Sequence, residues 1–216
     1  MNKNKSILAL IAVAAIFLCE LEVACAQNSK SVKILALGDS LTEGYGLAKE
    51  QSFPSLLEVA LRKKGYSGIS VINAGTSGST SASAIKRLNW QLRAKPKPTI
   101  LILALGANDG LRGVDPESTF NNLGMTIEAA QKSKMKVLLV GMMMPPNYGA
   151  QYTKDFAAVF PRLRKKYDLS MMPFLLTDVA GNKKLNLPDG IHPNAAGYQI
   201  ITKNLIKYLE PMLAGK

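Results

Sequence analysis

The sequence predicts an α/β fold in which a parallel sheet of about five strands carries helices on both faces. One observation supports this fold, and two others support a single domain. Short apolar runs rich in β-branched residues alternate with longer segments of helical spacing. The 216 residues are enough for one domain with a sizeable core. The chain also shows no internal repeat, low-complexity tract or linker, so a single domain is expected.

The five apolar runs predict strands at residues 32–37, 69–72, 99–105, 137–140 and 171–174. The helical spacing predicts helices at residues 54–64, 81–95, 116–134, 152–167 and 194–209. Pro54 and Pro116 fall in first helical turns, where proline is tolerated. Pro161 falls in the middle of the fourth helix, so we expect a kink or a split there.

The first 26 residues have the layout of a secretory signal peptide. Lys3 and Lys5 precede an apolar stretch at residues 7–18, which is short for a membrane span, and small residues follow at Ala24 and Ala26. We expect cleavage after Ala26. The remaining residues, 27–216, would form a single domain outside the cytoplasm, either periplasmic or secreted.

Both cysteines of the chain, Cys19 and Cys25, lie within this leader. Lipidation of Cys25 is the weaker alternative, because Glu22 stands where a lipoprotein signal needs an aliphatic residue. After cleavage the chain would contain no thiol. It could then form no disulfide, no cysteine nucleophile and no cysteine metal site.

The formal net charge of the chain is +12, which nucleic-acid-binding proteins often show. The basic residues are nevertheless scattered, with short clusters at residues 62–64 and 162–166 on predicted helices. No aromatic residues are interleaved with these clusters. The pattern therefore favours solvated helix faces over a nucleic-acid site, and a weaker attraction to anionic lipid or acyl substrates stays open.

Glycines and small polar residues follow the first three predicted strands. These segments are Gly-Asp-Ser at 38–40, Asn-Ala-Gly-Thr-Ser-Gly at 73–78 and Gly-Ala-Asn-Asp-Gly at 106–110. Ligands of parallel α/β sheets bind at the carboxyl ends of the strands, so we expect these segments to share one rim. For the segment that ends at Ser40, a capped strand-to-helix turn is the plain alternative.

The sequence argues against nucleotide and metal sites. The glycine-rich stretch at residues 75–80 has no lysine for a phosphate loop, and residues 44–49 do not complete a dinucleotide-binding motif. The chain has one histidine, His192, and both cysteines lie in the predicted leader. No metal-ligand cluster is expected from such a composition.

His192 is the most informative residue of the chain. It follows Asp189 by three residues, with Gly190 between them and Pro193 leading into the last helix. An acid at this spacing can accept the imidazole N–H and fix the tautomer. The other ring nitrogen is then free to take a proton from the hydroxyl of Ser40. A structural histidine at a helix cap is the plain alternative.

A serine hydrolase also needs N–H donors for the oxyanion that forms during the reaction. The candidates are the backbone amides of Ser40 and Gly78 and the side-chain amide of Asn108. Taken singly, a loop glycine and a helix-capping asparagine are the alternatives. The G-x-S-x-G turn of the α/β-hydrolases is absent from the chain, so a serine hydrolase here would have a different architecture.

Four blocks of the sequence resemble, in order, the SGNH or GDSL hydrolase family: Gly38-Asp39-Ser40-Leu41, Gly78, Gly106-x-Asn108-Asp109 and Asp189-x-x-His192. The stretches at 106–113, 145–149 and 189–197 are similar to a bacterial periplasmic branch of arylesterases, acyl-CoA thioesterases and lysophospholipases. The resemblance covers residues 32–210. Ala107 and Glu43 depart from the residues usual in that branch, at positions that carry no chemistry.

The resemblance implies a flavodoxin-like three-layer α/β/α sandwich with no metal and no organic cofactor. It implies that Ser40 is the nucleophile, that His192 is the general base and acid, and that Asp189 is the partner of His192. Ser40, Gly78 and Asn108 are then the oxyanion donors.

The resemblance further implies an acyl-side wall at residues 142–148, with Met144 and Tyr148, for which ordinary strand-end packing is the alternative. The expected substrate is a small acyl ester or thioester, and the expected protein is a monomer. The leaving group stays open, because oxygen esters, thioesters and lysophospholipids share one acyl-enzyme route. The alternatives are a carbohydrate acetylesterase and a non-catalytic flavodoxin-like binding module.

Overall fold

The computed structural model describes residues 31–214. The signal peptide predicted over residues 1–26 lies outside the described residues. Five strands, β1 to β5, form one parallel sheet in the order β2-β1-β3-β4-β5. They are Val32–Gly38, Ile69–Gly75, Ile100–Ala104, Lys136–Val140 and Ser170–Met172. This is the strand order of flavodoxin-like folds.

The helices of the described residues, α1 to α7, are Ser40–Glu43, Phe53–Lys63, Ala84–Gln91, Ala107–Leu111, Pro116–Lys132, Ala150–Tyr167 and Ala195–Leu213. With right-handed crossovers, α2 and α7 cover one face of the sheet and α3, α5 and α6 cover the other. The packing agrees, because α2 contacts α7, and α5 contacts both α3 and α6. The predicted three-layer α/β/α sandwich is confirmed. Across residues 31–214, no helix combines the length and hydropathy of a membrane span.

The central strands β1 and β3 form the core of the sheet. Residues 34–37 of β1 and 101–104 of β3 are fully buried, because helices cover both faces of the sheet. Burial on both faces explains why these strands are continuous apolar runs rather than alternating ones. Aromatic side chains of the helices complete the core, with Phe53 from α2 and with Phe156 and Phe160 from α6.

Helix α6 is not split at Pro161, although the sequence predicted a kink or a split there. The helix runs from Ala150 to Tyr167 with Pro161 inside it. Phe160 and Leu163, on either side of the proline, are both buried. Packing of this apolar face offsets the backbone hydrogen bond that proline cannot make.

Other element boundaries shift for local reasons. The predicted helix at 81–95 begins as a 3₁₀ turn at Ser81–Ser83 and continues as α3, which ends at Gln91. Strand β5 ends at Met172, because Pro173 has no N–H to continue the ladder. Helix α7 extends beyond the predicted 194–209 to Leu213.

The loop that precedes α7 carries Asp189 and His192 to the rim of the sheet. An isolated bridge joins Asn186 to Pro193, and the Asn186 side chain donates to the carbonyl oxygens of Val179 and Asn182. Asn194 caps α7, because its side-chain oxygen accepts hydrogen bonds from the first amides of the helix. These bonds fix the loop against a long helix and thereby fix the position of His192.

Candidate active site

Ser40, His192 and Asp189 form a continuous hydrogen-bonded chain at the carboxyl edge of the sheet. The Ser40 hydroxyl lies 2.9 Å from Nε2 of His192, and Nδ1 of His192 lies 2.8 Å from Oδ2 of Asp189. The carboxylate can only accept, so Nδ1 carries the proton and Nε2 is left to accept the hydroxyl proton. The structure thus brings together three residues that the sequence predicted to act together.

Asp189 is held by more than the imidazole. Its Oδ1 accepts hydrogen bonds from the backbone amides of Ile191 and His192, each at 3.0 Å, across the turn that Gly190 makes at a φ of 75°. Burial by itself opposes ionisation of this carboxyl. The hydrogen bonds from His192 and Ile191 outweigh that effect and hold the pKa of Asp189 below its ordinary value. The acid beside His192 therefore stays charged.

Tyr45 packs against the imidazole of His192, a contact that the sequence did not reveal. The two ring centres lie 4.5 Å apart, with the rings inclined by 35°. Tyr45 is half exposed and also lines the cavity in front of Ser40. The contact restricts the tilt of the imidazole ring. Only its place shortly after Ser40 in the chain could have drawn attention to it.

Two of the predicted oxyanion donors are oriented by the loop between β2 and α3. Gly78 adopts a φ of 74°, which favours glycine, and its carbonyl accepts a hydrogen bond from Arg112 at 3.0 Å. One N–H of the Asn108 side-chain amide donates to the carbonyl of Ser79 at 3.1 Å. A primary amide has two N–H groups, so the second is available to a substrate. Ser40, Gly78 and Asn108 all line one cavity.

Asp109 links the helix that carries Asn108 to the loop that carries Gly78. Its carboxylate is buried and accepts hydrogen bonds from the backbone amide and the hydroxyl of Ser81. Thr119 of α5 donates to the same carboxylate at 3.4 Å. The spacing between the Gly78 and Asn108 donors is therefore set by a buried carboxylate next to Asn108 in sequence.

Arg87 holds the ends of β1 and β2 together behind the nucleophile. Its Nη2 donates to the carbonyl of Gly38 at 2.8 Å, to the carbonyl of Ala74, and to the hydroxyl of Thr76 at 3.2 Å. Ser40 lies two residues beyond Gly38, and Gly78 two residues beyond Thr76. One guanidinium thus fixes the start of both segments that face the substrate.

Asp39 lies directly before the nucleophile and is fully buried. Its Oδ1 accepts the amide of Leu41 at 3.0 Å and so caps α1, whereas its Oδ2 has no hydrogen-bond partner within residues 31–214. Burial, with a smaller contribution from Asp109, raises the pKa of Asp39 from 3.8 to about 6. Near neutral pH the site therefore contains an ionised carboxylate with a hydrogen bond to only one of its two oxygens.

An apolar cavity of about 710 Å³ opens in front of Ser40. Its apolar lining comes from several loops and includes Leu41, Tyr45, Leu111, Met143, Met144, Phe174, Leu176 and Ile191. Met144, which was predicted for the acyl-side wall, lines this cavity. Met143, from the same predicted segment 142–148, lines it as well. Tyr148, which was also predicted for the wall, does not line the cavity, and its hydroxyl instead donates to the carbonyl of Leu111 at 3.4 Å.

The chemistry of this rim and the fold beneath it define a class of protein, the serine hydrolases of acyl esters. The model of the GDSL-like lipase/acylhydrolase family matches residues 36–200, and the chain belongs to that family of ester hydrolases.

Three characterised relatives are similar to most of the chain. Esterase TesA of Pseudomonas aeruginosa is 35% identical over 195 residues, which cover 90% of this chain and 96% of the relative. An arylesterase of Vibrio mimicus is 36% identical over 188 residues, 85% of this chain and 93% of the relative. Thioesterase 1/protease 1/lysophospholipase L1 of Escherichia coli K12 is 34% identical over 180 residues, 83% of this chain and 84% of the relative.

The fold agrees with a solved structure. A crystal structure of TesA superposes on this chain with a TM-score of 0.79 at 36% sequence identity. The superposition covers 83% of this chain and 99% of that chain. The flavodoxin-like sandwich is therefore shared with an esterase over nearly its whole length.

Replacing Asn108 by alanine should lower kcat on a short ester by roughly 10²–10³, the usual effect of removing one oxyanion donor. KM should change little, because the donor acts mainly in the transition state. Steady-state kinetics on a p-nitrophenyl ester measure both. Asn89→Ala, on an exposed part of α3, is the matched control. A folded Asn108→Ala variant with a near wild-type kcat would show that Asn108 only holds the loop.

Replacing Asp39 by asparagine should change how stability depends on pH. The folded-state pKa lies above the ordinary value, so Asp39 is more protonated in the folded protein than in the unfolded chain between pH 3.8 and about 6. The contribution of Asp39 to the free energy of unfolding should therefore fall as pH rises through this window. Relative to wild type, Asp39→Asn should gain up to about 3 kcal/mol from the acid to the neutral side.

Urea unfolding at several pH values measures this difference. Asp155→Asn, which alters an exposed carboxylate on α6, provides the control and should show no such trend. If the difference in unfolding free energy between Asp39→Asn and wild type stayed constant with pH, or changed in the opposite direction, the raised pKa of the buried Asp39 carboxyl would be contradicted.

Proposed function

We propose that this protein hydrolyses carboxylic esters and thioesters through an acyl-enzyme formed on Ser40. The observation that carries the proposal is the 2.9 Å contact between the Ser40 hydroxyl and Nε2 of His192, backed by the 2.8 Å contact from His192 to Asp189. A serine hydroxyl is a weak nucleophile unless a base within hydrogen-bond reach takes its proton. His192 is the only imidazole in the sequence.

In the acylation step, Nε2 of His192 accepts the Ser40 proton while Oγ attacks the carbonyl carbon of the substrate. The oxyanion receives hydrogen bonds from the amides of Ser40 and Gly78 and from the free N–H of Asn108. Asp189, charged and hydrogen-bonded to Nδ1, stabilises the imidazolium. The imidazolium then protonates the oxygen or sulfur of the leaving group as the ester or thioester bond breaks, and an alcohol or thiol is released.

In the deacylation step, a water molecule takes the place of the leaving group. Nε2 of His192 accepts a proton from this water as the water oxygen attacks the acyl carbon. The same donors stabilise the second oxyanion, and the proton returns to Oγ of Ser40 as the acid leaves. Because the route depends on the acyl carbon, it serves oxygen esters and thioesters alike.

The apolar cavity supports an acyl group longer than acetyl as the part of the substrate that is bound. Met143 and Met144 have flexible, polarizable side chains that adapt to such a group. The names of the relatives, an arylesterase and a thioesterase 1/protease 1/lysophospholipase L1, agree with varied leaving groups on one acyl site. Neither a carbohydrate acetylesterase nor a non-catalytic binding module is favoured by these names.

We also propose that the protein acts outside the cytoplasm. The basic, apolar and small-residue segments of residues 1–26 support this location. Amino-terminal sequencing of exported protein should begin at Gln27. Retention of residues 7–18 would overturn this part of the proposal, whereas lipid on Cys25 would contradict only cleavage after Ala26.

Replacing Ser40 and His192 by alanine should show that the two residues act as one unit. Each single change should abolish most of kcat, and the double change should cost little more, because the serine and its base serve the same step. Ser83→Ala, outside the cavity, is the control and should keep wild-type kinetics. Robust turnover by His192→Ala, or additive losses in the double variant, would contradict the mechanism.

Lengthening the acyl group from acetyl to octanoyl should raise kcat/KM, by at most about 0.8 kcal/mol per methylene buried in the cavity. Met143 is 55% exposed and lines the cavity, so Met143→Ser should flatten this trend without unfolding the protein. Met125 on α5 is 50% exposed, lies outside the cavity lining, and gives the matched control Met125→Ser. If kcat/KM of the wild-type protein stayed flat or fell with acyl length, the acyl chain would not bind in this cavity.

A further inference from the structure

A second concave surface lies beside the edge of the sheet. It has a volume of about 1090 Å³ and runs between the edge strand β2 and helix α3, and its lining includes Thr76, Lys86, Trp90 and Arg93. We call it the Trp90 groove. Thr76 belongs to the groove, whereas the next residue, Ser77, lines the active-site cavity. The two concavities are therefore separated by one short loop.

Trp90 is the only tryptophan in the sequence, and it is 68% exposed. The Arg93 guanidinium lies 5.5 Å from the centre of its ring. Lys86 is exposed and precedes Trp90 by four residues, so the two side chains lie on the same side of α3. An indole displayed beside two cations is the combination that proteins place at the boundary between lipid headgroups and acyl chains.

The segment that lines the groove carries a single sign of charge. Residues 73–97 contain five lysines and arginines and neither aspartate nor glutamate. Lys95 and Lys97, both exposed, follow α3 directly. A surface of this sign attracts anionic partners.

Three acidic residues of neighbouring elements are engaged elsewhere. On α5, which packs against α3, Glu117 pairs with Arg162, and Glu128 accepts a hydrogen bond from Tyr167. Both partners belong to α6, on the far side of α5.

The carboxylate of Glu43 lies near the carboxyl end of β2 and accepts hydrogen bonds from the backbone amide and the hydroxyl of Ser77. None of these bonds directs a carboxylate to Lys86 or Arg93.

We propose that the Trp90 groove docks the protein on an anionic phospholipid bilayer. The positive charge selects anionic headgroups, and the indole enters the headgroup region. Nucleic acid is a poorer match, because its binding surfaces stack several bases on several aromatic rings and this groove has one. Docking here would place the active-site cavity one loop away from a surface that holds acyl lipids. The inference does not depend on the role proposed for Ser40.

Intrinsic fluorescence tests the docking directly, because Trp90 is the only indole. Adding vesicles of phosphatidylglycerol should shift the emission to the blue, and brominated acyl chains in those vesicles should quench it. Vesicles of phosphatidylcholine alone should do neither, and high salt should reverse the shift. No shift with phosphatidylglycerol, or an equal shift with phosphatidylcholine, would overturn the proposal. So would a stronger response to a single-stranded oligonucleotide than to vesicles.

A pair of charge reversals tests the site of docking. Lys86→Glu with Arg93→Glu should weaken binding to phosphatidylglycerol vesicles by at least about tenfold. Arg164→Glu with Lys165→Glu makes the same change of charge on an exposed part of α6 and should weaken binding far less. Equal losses in the two double variants would overturn the assignment to this groove. Hydrolysis of a soluble short ester should stay unchanged in both, which separates this test from that of the catalytic proposal.

Discussion

The hydrogen bond between Ser40 and His192 is the interaction on which the rest of the site depends. The two residues are 152 positions apart in the chain, so their contact requires that β1 and the loop before α7 be fixed independently. A buried hydrogen bond at 3.0 Å from the Tyr198 hydroxyl to the carbonyl of Leu41 links these two parts directly. It joins the first turn of α7 to the residue after the nucleophile. The nucleophile and its base thus share one rigid support.

The donors for the oxyanion are positioned by groups that do not face the substrate. Arg87 fixes the ends of β1 and β2, and Asp109 fixes the separation of Asn108 from the Gly78 loop. Buried polar groups of this kind stabilise a protein only when their bonds are satisfied. Asp39 and Arg87 each keep one buried polar atom, Oδ2 and Nη1, without a hydrogen-bond partner within residues 31–214, both close to the nucleophile. Stability is thereby reduced at the point where the geometry of the reaction is set, as is common at functional sites.

The sequence predicts the sheet well, because β1 and β3 are buried on both faces and read as continuous apolar runs. Residues proposed for the active site can also be predicted from the sequence. Ser40, Asn108 and His192 each follow a strand or precede a helix within a recognisable motif. The kink or split predicted at Pro161 was wrong, because the packing of its apolar neighbours outweighs the one backbone hydrogen bond that proline cannot make. Tyr45 and the Trp90 groove could not be predicted, because they depend on distances between segments that no local pattern encodes.

The central claim is that the acyl group passes through Ser40, and mass spectrometry of the protein during turnover tests it most directly. The enzyme is mixed with an octanoyl ester, quenched in acid within the first turnovers, and digested. The account predicts one octanoyl adduct, on the peptide that contains Ser40, and no adduct in Ser40→Ala. An adduct on another residue, or rapid hydrolysis by a Ser40→Ala protein, would contradict it.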